Sequence, residues 1–257
     1  MNLRPEGLHV VDHPGSNGAV APRTGGRSVD VILVHGSLDR GASFTRVVRR
    51  LPDLHVVTYD RRGYSRSRQA GQTATFIDHV ADLVALAGAG PVVAIGHSYG
   101  GDIALGAALA APGTVVAVGA YEPPMPWLDW WPRRSRPEDD PATFAEGFFR
   151  RMVGDTSWDR LTEQARAERR ADGAALRAEL TDLRGDEAPF DASALSVPAV
   201  FGRGECSIPR HRRAVGELHA AVAGSEIVEF DGAGHGAHLS HPGAFAQFVR
   251  RVLLRVS

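Results

Sequence analysis

The chain has 257 residues, which suits one large domain or one domain carrying an insertion, and it is long enough to bury a sizeable core. Hydrophobic residues make up 43%, charged residues 23%, and the formal net charge is -1, which argues against nucleic acid or an anionic membrane as an obligate partner. All 29 basic residues are Arg, and the single cysteine, Cys206, excludes an intrachain disulfide.

The N-terminal stretch MNLRPEGLHVVDHPGSNG has no apolar run long enough for a signal peptide, so a cytoplasmic protein is expected. The first strand pattern is VDVILVHG (Val29–Gly36), followed by a helical pattern over Ala42–Leu51 and a second strand, LHVVTYD (Leu54–Asp60). A helix over Thr73–Ala87, a strand over Pro91–Gly96, a helix over Ser98–Ala111 and a strand over Gly113–Tyr121 come next. Ile103–Tyr121 is a long uncharged run. Pro112-Gly113 interrupts it, and Asp102 and Glu122 bound it without basic anchors, so it reads as helix, turn and strand rather than a membrane span. Strands over Val197–Gly202 and Glu226–Phe230 alternate with helices over His211–Ala223 and Pro242–Leu254. The strands are Val-rich and nearly continuously apolar, as strands covered on both faces are. The alternation predicts an α/β fold, a mostly parallel sheet with helices on both faces.

From Pro123 to Phe190 the rhythm breaks. No strand pattern occurs there, and all four tryptophans do: Trp127, Trp130, Trp131 and Trp158. The segment reads as a mainly helical insertion over the C-terminal edge of the sheet. No repeats or long low-complexity tracts interrupt the chain.

The seam between the Pro91–Gly96 strand and the following helix carries GHSYGG, Gly96 to Gly101. A nucleophile at the tip of a strand must leave through a tight turn that strains its backbone and crowds the residues two before and two after it. Gly96 and Gly100 supply that room around Ser98, and the helix start points free N–H groups at the reaction centre. The pattern alone is weak; its strand-to-helix context gives it weight. The Gly cluster lacks G-x-G-x-x-G and a ribose-binding acid after it, which argues against a dinucleotide binder.

Together with LVHGSLDRGASF (Leu33–Phe44), TYDRRGYSRS (Thr58–Ser67), AYEPP (Ala120–Pro124) and GAGHGAH (Gly232–His238), this motif resembles the α/β-hydrolase superfamily, from about Val29 to the C-terminus. The resemblance implies an eight-stranded, mostly parallel sheet with a helical cap inserted after the sixth strand. Taking Val29–Gly36 as the third strand makes Gly113–Tyr121 the sixth. The core would then be residues 1–122 and 191–257, and the cap residues 123–190. By position, Ser98 looks like the nucleophile and His235 like the general base. The oxyanion donors implied are the backbone N–H groups of Tyr99 and of Ser37 or Leu38, with the Ser37 hydroxyl a further candidate. Asp60 resembles a structural loop anchor and His35 the family's structural histidine. His97 is expected to point away from the Ser98 hydroxyl. His238 and His241 read as surface or loop residues.

The acid that orients His235 has two candidates. Glu205, three residues past Gly202 in FGRGECSIP, matches relatives that place the acid after the seventh strand. Glu122 matches relatives that place a Glu after the sixth, haloalkane dehalogenases among them. Glu122 is preferred because a stiff strand end positions a carboxylate better than a Gly-rich loop. Those dehalogenases have Asp where this chain has Ser98 and Trp where it has Tyr99, which argues against their chemistry.

The implied function is a serine hydrolase cleaving an ester, thioester or lactone of a small hydrophobic substrate through an acyl-enzyme. Trp127, Trp131 and Phe148 are the cap aromatics expected to touch substrate. A non-catalytic small-molecule-binding protein of the same fold, a carbon–carbon bond hydrolase and a cofactor-free haloperoxidase-like enzyme stay open as alternatives. No cofactor is required. His235 and His238 are three apart without a further ligand beside them in sequence, so no metal is expected. No nucleic-acid or membrane partner is expected, and both monomer and homodimer stay open.

Overall fold

The computed structural model describes residues 5–16, 23–24, 26–71, 73–132, 140–184 and 187–256. Residues 133–139 and 185–186 of the expected cap, and 1–4, 17–22, 25, 72 and 257 of the expected core, lie outside the described residues.

Nine strands occur among the described residues: β1 (Val10–His13), β2 (Arg23–Thr24), β3 (Arg27–Ser28), β4 (Asp30–Val34), β5 (Val56–Tyr59), β6 (Val92–His97), β7 (Val115–Tyr121), β8 (Ala199–Gly204) and β9 (Glu226–Phe230). Seven form one sheet in the order β1-β5-β4-β6-β7-β8-β9. Only the edge pair β1–β5 is antiparallel. The remaining pairs, from β5–β4 across to β8–β9, are parallel.

Eight strands were expected from the resemblance, and the main sheet has seven. The difference lies before β4. β2 and β3 pair only with each other, two residues a side, as a separate ribbon too short to bury a face of its own. The helical segment consequently follows the fifth strand of the main sheet in chain order, not the sixth.

Strand alternation divides the core between the two faces of the sheet. Ile32, Val34, Ala94, Val118 and Phe201 pack on one side with Phe76, Leu83, Ile103, Ala107, Val215 and Leu218. These partners come from α2 (Phe76–Ala87), α3 (Tyr99–Ala110) and α8 (Pro209–Ala221). Val31, Leu33, Val93, Ile95 and Val200 face the other way, onto Val47, Phe245, Phe248 and Val252. Those belong to the single-turn α1 (Thr45–Val48) and to α10 (Pro242–Leu253).

Between β7 and β8, four α-helices occur among the described residues, α4 (Pro141–Val153), α5 (Asp155–Asp159), α6 (Glu163–Ala171) and α7 (Gly173–Asp182). The short α9 (Ala237–Ser240) precedes α10. Phe144 and Ala145 of α4 and Leu176 of α7 bury against Leu38, in the loop that follows β4. Trp158 is buried within these helices, edge-on to Phe149 at 5.3 Å between ring centres and near the guanidinium groups of Arg150 and Arg170. No helix among the described residues is long and apolar enough to cross a membrane.

Candidate active site at the C-terminal ends of the strands

Every expected site residue of the α/β layers follows the C-terminal end of a parallel strand: Ser37 and Leu38 after β4, Ser98 and Tyr99 after β6, Glu122 after β7, Glu205 after β8 and His235 after β9. That rim is where open parallel sheets hold ligands.

Ser98 bridges β6 and α3 with φ 54° and ψ -130°. The bend is permitted by its neighbours. A Cβ on Gly96 would lie 2.0 Å from the carbonyl oxygen of Gly100, and one on Gly100 would lie 2.2 Å from that of Val34. Four non-glycine residues among those described have positive φ, and three of them, Leu38, Ser98 and Glu122, are expected site residues. Left-handed backbone at side-chain-bearing positions costs energy and collects at functional sites.

Glu122 is fully buried, yet its carboxylate is held at both oxygens. Oε1 accepts from the N–H of Gly204 at 2.8 Å, and Oε2 accepts from Nδ1 of His235 at 2.7 Å. The Glu122 N–H in turn donates to Gly202 at 3.0 Å, so β8 fixes both its backbone and its side chain. Glu205 is exposed and does not meet His235 in this way; its Oε2 accepts from the N–H of Gly232 at 2.8 Å. Of the two acids, the structure brings Glu122 to His235 and uses Glu205 to tie down the start of the loop that carries His235.

Two further bonds hold that loop. Tyr121 donates its hydroxyl to the carbonyl of Gly234, and Nε2 of His97 donates to the carbonyl of His235, each at 2.8 Å. With Nδ1 of His235 given to Glu122, the imidazole keeps Nε2 as its lone-pair nitrogen. His35 accepts from the backbone N–H of Arg61 at 2.8 Å and donates Nδ1 to Gly36, and burial followed by Arg61 pushes its pKa down to about 4. The Asp60 carboxylate accepts from the N–H groups of Gly41 and Arg66.

The turn after β4 lies against Ser98: a Cβ on Gly36 would stand 3.0 Å from the Ser98 Cβ. Tyr99 opens α3, so its N–H has no partner within that helix. The Ser37 hydroxyl does not serve as a third donor here, because it donates to Glu179 of α7. Sequence reading missed Glu179. It is buried and also accepts from Arg61 at 2.8 Å and from Tyr64 at 2.9 Å. Arg61, itself fully buried, donates to the carbonyls of His35 and Gly36 and thereby braces the turn.

The histidines also differ from expectation. His238 is buried, not a surface residue, and donates to Asp39 at 3.1 Å. Its ring centre lies 4.2 Å from that of His97, which is 4.8 Å from that of His235. On the other side of His235 stands His211, from the first turn of α8, at 4.3 Å. Burial, then His235 and Arg210, push the His211 pKa down to about 2. The only early signal for His238 was its spacing of three from His235; His211, in the basic run PRHRR, gave none. Two groups could hold a metal ion, Asp39–His97–His238 and Glu122–His211–His235, with ligand atoms in each within 4.8 Å of one another.

Of the expected aromatics, Trp131 meets the His211 ring edge-on at 5.7 Å, and Phe148 packs beside Leu38. Trp127 is buried in the main core, edge-on to Phe190 at 5.7 Å.

Among known proteins, Lipase LipV of Mycobacterium tuberculosis (strain ATCC 25618 / H37Rv) is 35% identical over 96 residues, 36% of this chain and 36% of that lipase, so the chain spans little more than a third of the curated relative it matches. Esterase EaEST from Exiguobacterium antarcticum superposes with a TM-score of 0.75 at 18% identity, covering 96% of this chain and 95% of the other. The enzyme Est816, described as degrading N-acyl homoserine lactones, gives 0.74 at 18% identity over 95% and 96%. The enol-lactonase from Burkholderia xenovorans LB400 gives 0.71 at 20% identity over 96% of each chain. At such identities these structures establish the shared fold. Residues 31–248 match the family described as the alpha/beta hydrolase family, a span that takes in most of the sheet together with Ser98, Glu122 and His235. The chain belongs to the alpha/beta hydrolase family.

Proposed function

We propose that this protein is a serine hydrolase that cleaves carboxylic esters. The observation that carries the reading is the 2.7 Å bond from His235 to the buried Glu122, in a loop pinned by His97, the residue that precedes the strained Ser98. Glu122 fixes the tautomer of His235 and stabilises the imidazolium that forms. Nε2 of His235 takes the Ser98 proton as Oγ attacks the ester carbonyl. The tetrahedral oxyanion is received by the N–H groups of Tyr99 and of Leu38 or Ser37, each donor contributing about 3 kcal/mol to the barrier reduction. The intermediate collapses with transfer of the His235 proton to the leaving alkoxide, and an acyl-Ser98 ester remains. Water, deprotonated by His235, then releases the acid.

The helical segment over residues 123–190 acts in this reading as a cap, and Trp131 and Phe148 offer apolar surface to a small hydrophobic acyl or alcohol group, while Trp127 packs into the main core. The lipase, esterase and lactonase names of the proteins reported above support ester chemistry, since lactones are cyclic esters. A fluorophosphonate probe should label the wild-type chain and leave Ser98→Ala unlabelled. p-Nitrophenyl esters should be hydrolysed faster as the acyl chain lengthens from two to six carbons. Labelling that persists in Ser98→Ala would overturn the assignment of the nucleophile, and equal rates for all chain lengths would remove the preference for a hydrophobic substrate.

A further inference from the structure

His211 has no role in the chemistry proposed above, and its surroundings are unusual for an imidazole. It is 3% exposed, and neither ring nitrogen has a hydrogen-bond partner among the described residues. Trp131 closes one side of the ring, and His235 lies 4.3 Å from it, ring centre to ring centre. Buried nitrogens are ordinarily bonded, so this ring is short of a partner. A nitrogen of His211, a nitrogen of His235 and a carboxylate oxygen of Glu122 lie within 4.8 Å of one another.

Two imidazoles and one carboxylate are a ligand set suited to a divalent transition ion, above all Zn2+, which is held by three protein groups at about 2.0–2.2 Å with water in the fourth position. His235 is half-buried, which leaves an approach from solvent. In the neighbouring group Asp39–His97–His238 each histidine already uses its Nε2 and keeps only Nδ1 unpartnered, whereas both ring nitrogens of His211 are unpartnered.

We propose that Glu122, His211 and His235 form an inhibitory Zn2+ site. Coordination through Nδ1 of His235 releases the proton that this nitrogen shares with Glu122 and breaks their bond. Coordination through Nε2 occupies the lone pair that has to take the Ser98 proton. Either way the base is withdrawn, and a chelator returns it. His211 is the residue that makes the difference, since Glu122 and His235 alone offer two ligands. Only the effect on turnover rests on the hydrolase reading; the binding itself does not.

The test is calorimetric titration of the full chain with Zn2+ alone, with Co2+ absorption as a second readout of tetrahedral coordination. Wild type should bind one ion and develop the intense visible bands of tetrahedral Co2+. His211→Phe keeps an aromatic ring against His235 without a ligand, and should weaken Zn2+ binding by at least about tenfold and lose the bands. His238→Gln and Cys206→Ser should keep both. Ester hydrolysis by wild type should be inhibited by Zn2+ and restored by EDTA. Affinity that is unchanged in His211→Phe, or that disappears instead in His238→Gln or Cys206→Ser, would overturn the proposal. An ion bound through His211 in a chain that hydrolyses no ester would support the site and overturn the hydrolase reading alone.

Discussion

Two buried polar assemblies adjoin Ser98, and they are built differently. Around His235, four imidazoles and two carboxylates run from His211 through His235 and His97 to His238, with Glu122 and Asp39 as the acids. Several nitrogens in that row have no bond among the described residues: both of His211 and Nδ1 of His97 and His238. Around Arg61, by contrast, the guanidinium donates to His35, Gly36, His79 and Glu179, and Glu179 also receives Ser37 and Tyr64. The first assembly keeps lone pairs free, which proton transfer and ligation need. The second satisfies most of its groups, which is what holding a turn in place needs. A charge taken out of water is tolerated only when so paired, and Glu179 keeps the Arg61 guanidinium charged although burial opposes it.

That contrast can be broken most sharply at Glu122, with Glu205 as the comparison. Glu122→Gln should lower kcat by roughly a thousandfold or more, because the amide no longer enforces the His235 tautomer. Glu205→Gln, which weakens only a loop contact with Gly232, should cost less than about tenfold. Steady-state kinetics on one ester decides between them, and similar losses in both variants would contradict the division of labour. In the second assembly the larger effect should fall on stability. Glu179→Ala leaves Arg61 buried and unpaired and should lower the unfolding free energy by about 3–5 kcal/mol in urea titrations. A near-neutral result would show that water can replace the carboxylate there.

The smallest effect is a pH dependence. His35 and His79 lie against Arg61, and burial, then that cation, hold both neutral, His35 with a pKa of about 4 and His79 well below its usual 6.5. The unfolded chain therefore binds more protons than the folded one below pH 6.5. Stability should fall as pH drops through 6.5, and the share due to His35 should level off near pH 4. Each histidine contributes at most about 1.4 kcal/mol per pH unit in that window. Urea midpoints at pH 7, 6 and 5 should decline accordingly, and His79→Gln should flatten the decline.

What could be read from the residues follows the range of the forces involved. The interior strands β4 to β8 were legible because a strand covered on both faces is largely apolar, and the edge strand β9 because Ile227, Val228 and Phe230 leave EIVEF mostly apolar. β1 was not, because VVDH is an edge strand with its two middle residues exposed, and it carries no such run. The pattern over Ala42–Leu51 has helical spacing, yet only a 3₁₀ turn over Gly41–Phe44 and the single turn of α1 form. Ser43 and Thr45 return their hydroxyls to the carbonyls of Arg40 and Ala42, a local competition that periodicity does not reveal. At the site, Ser98 was legible because the glycines of its turn are neighbours in sequence. The contact of His235 with Glu122, which spans 113 residues, was reached through the family resemblance with Glu205 left open beside it, and that of Ser37 with Glu179, which spans 142, was not foreseen. Such pairings are decided by how the strands are ordered in the sheet, and nothing in the local sequence encodes that order.

The bond from His97 to the carbonyl of His235 has a mechanical consequence. His97 ends the central strand β6 and is joined covalently to Ser98, so the proposed nucleophile and base hang from a common support. A thermal displacement of that support carries both together and leaves their separation little changed. A chain that met its base only through a distant loop would have to realign them at every turnover.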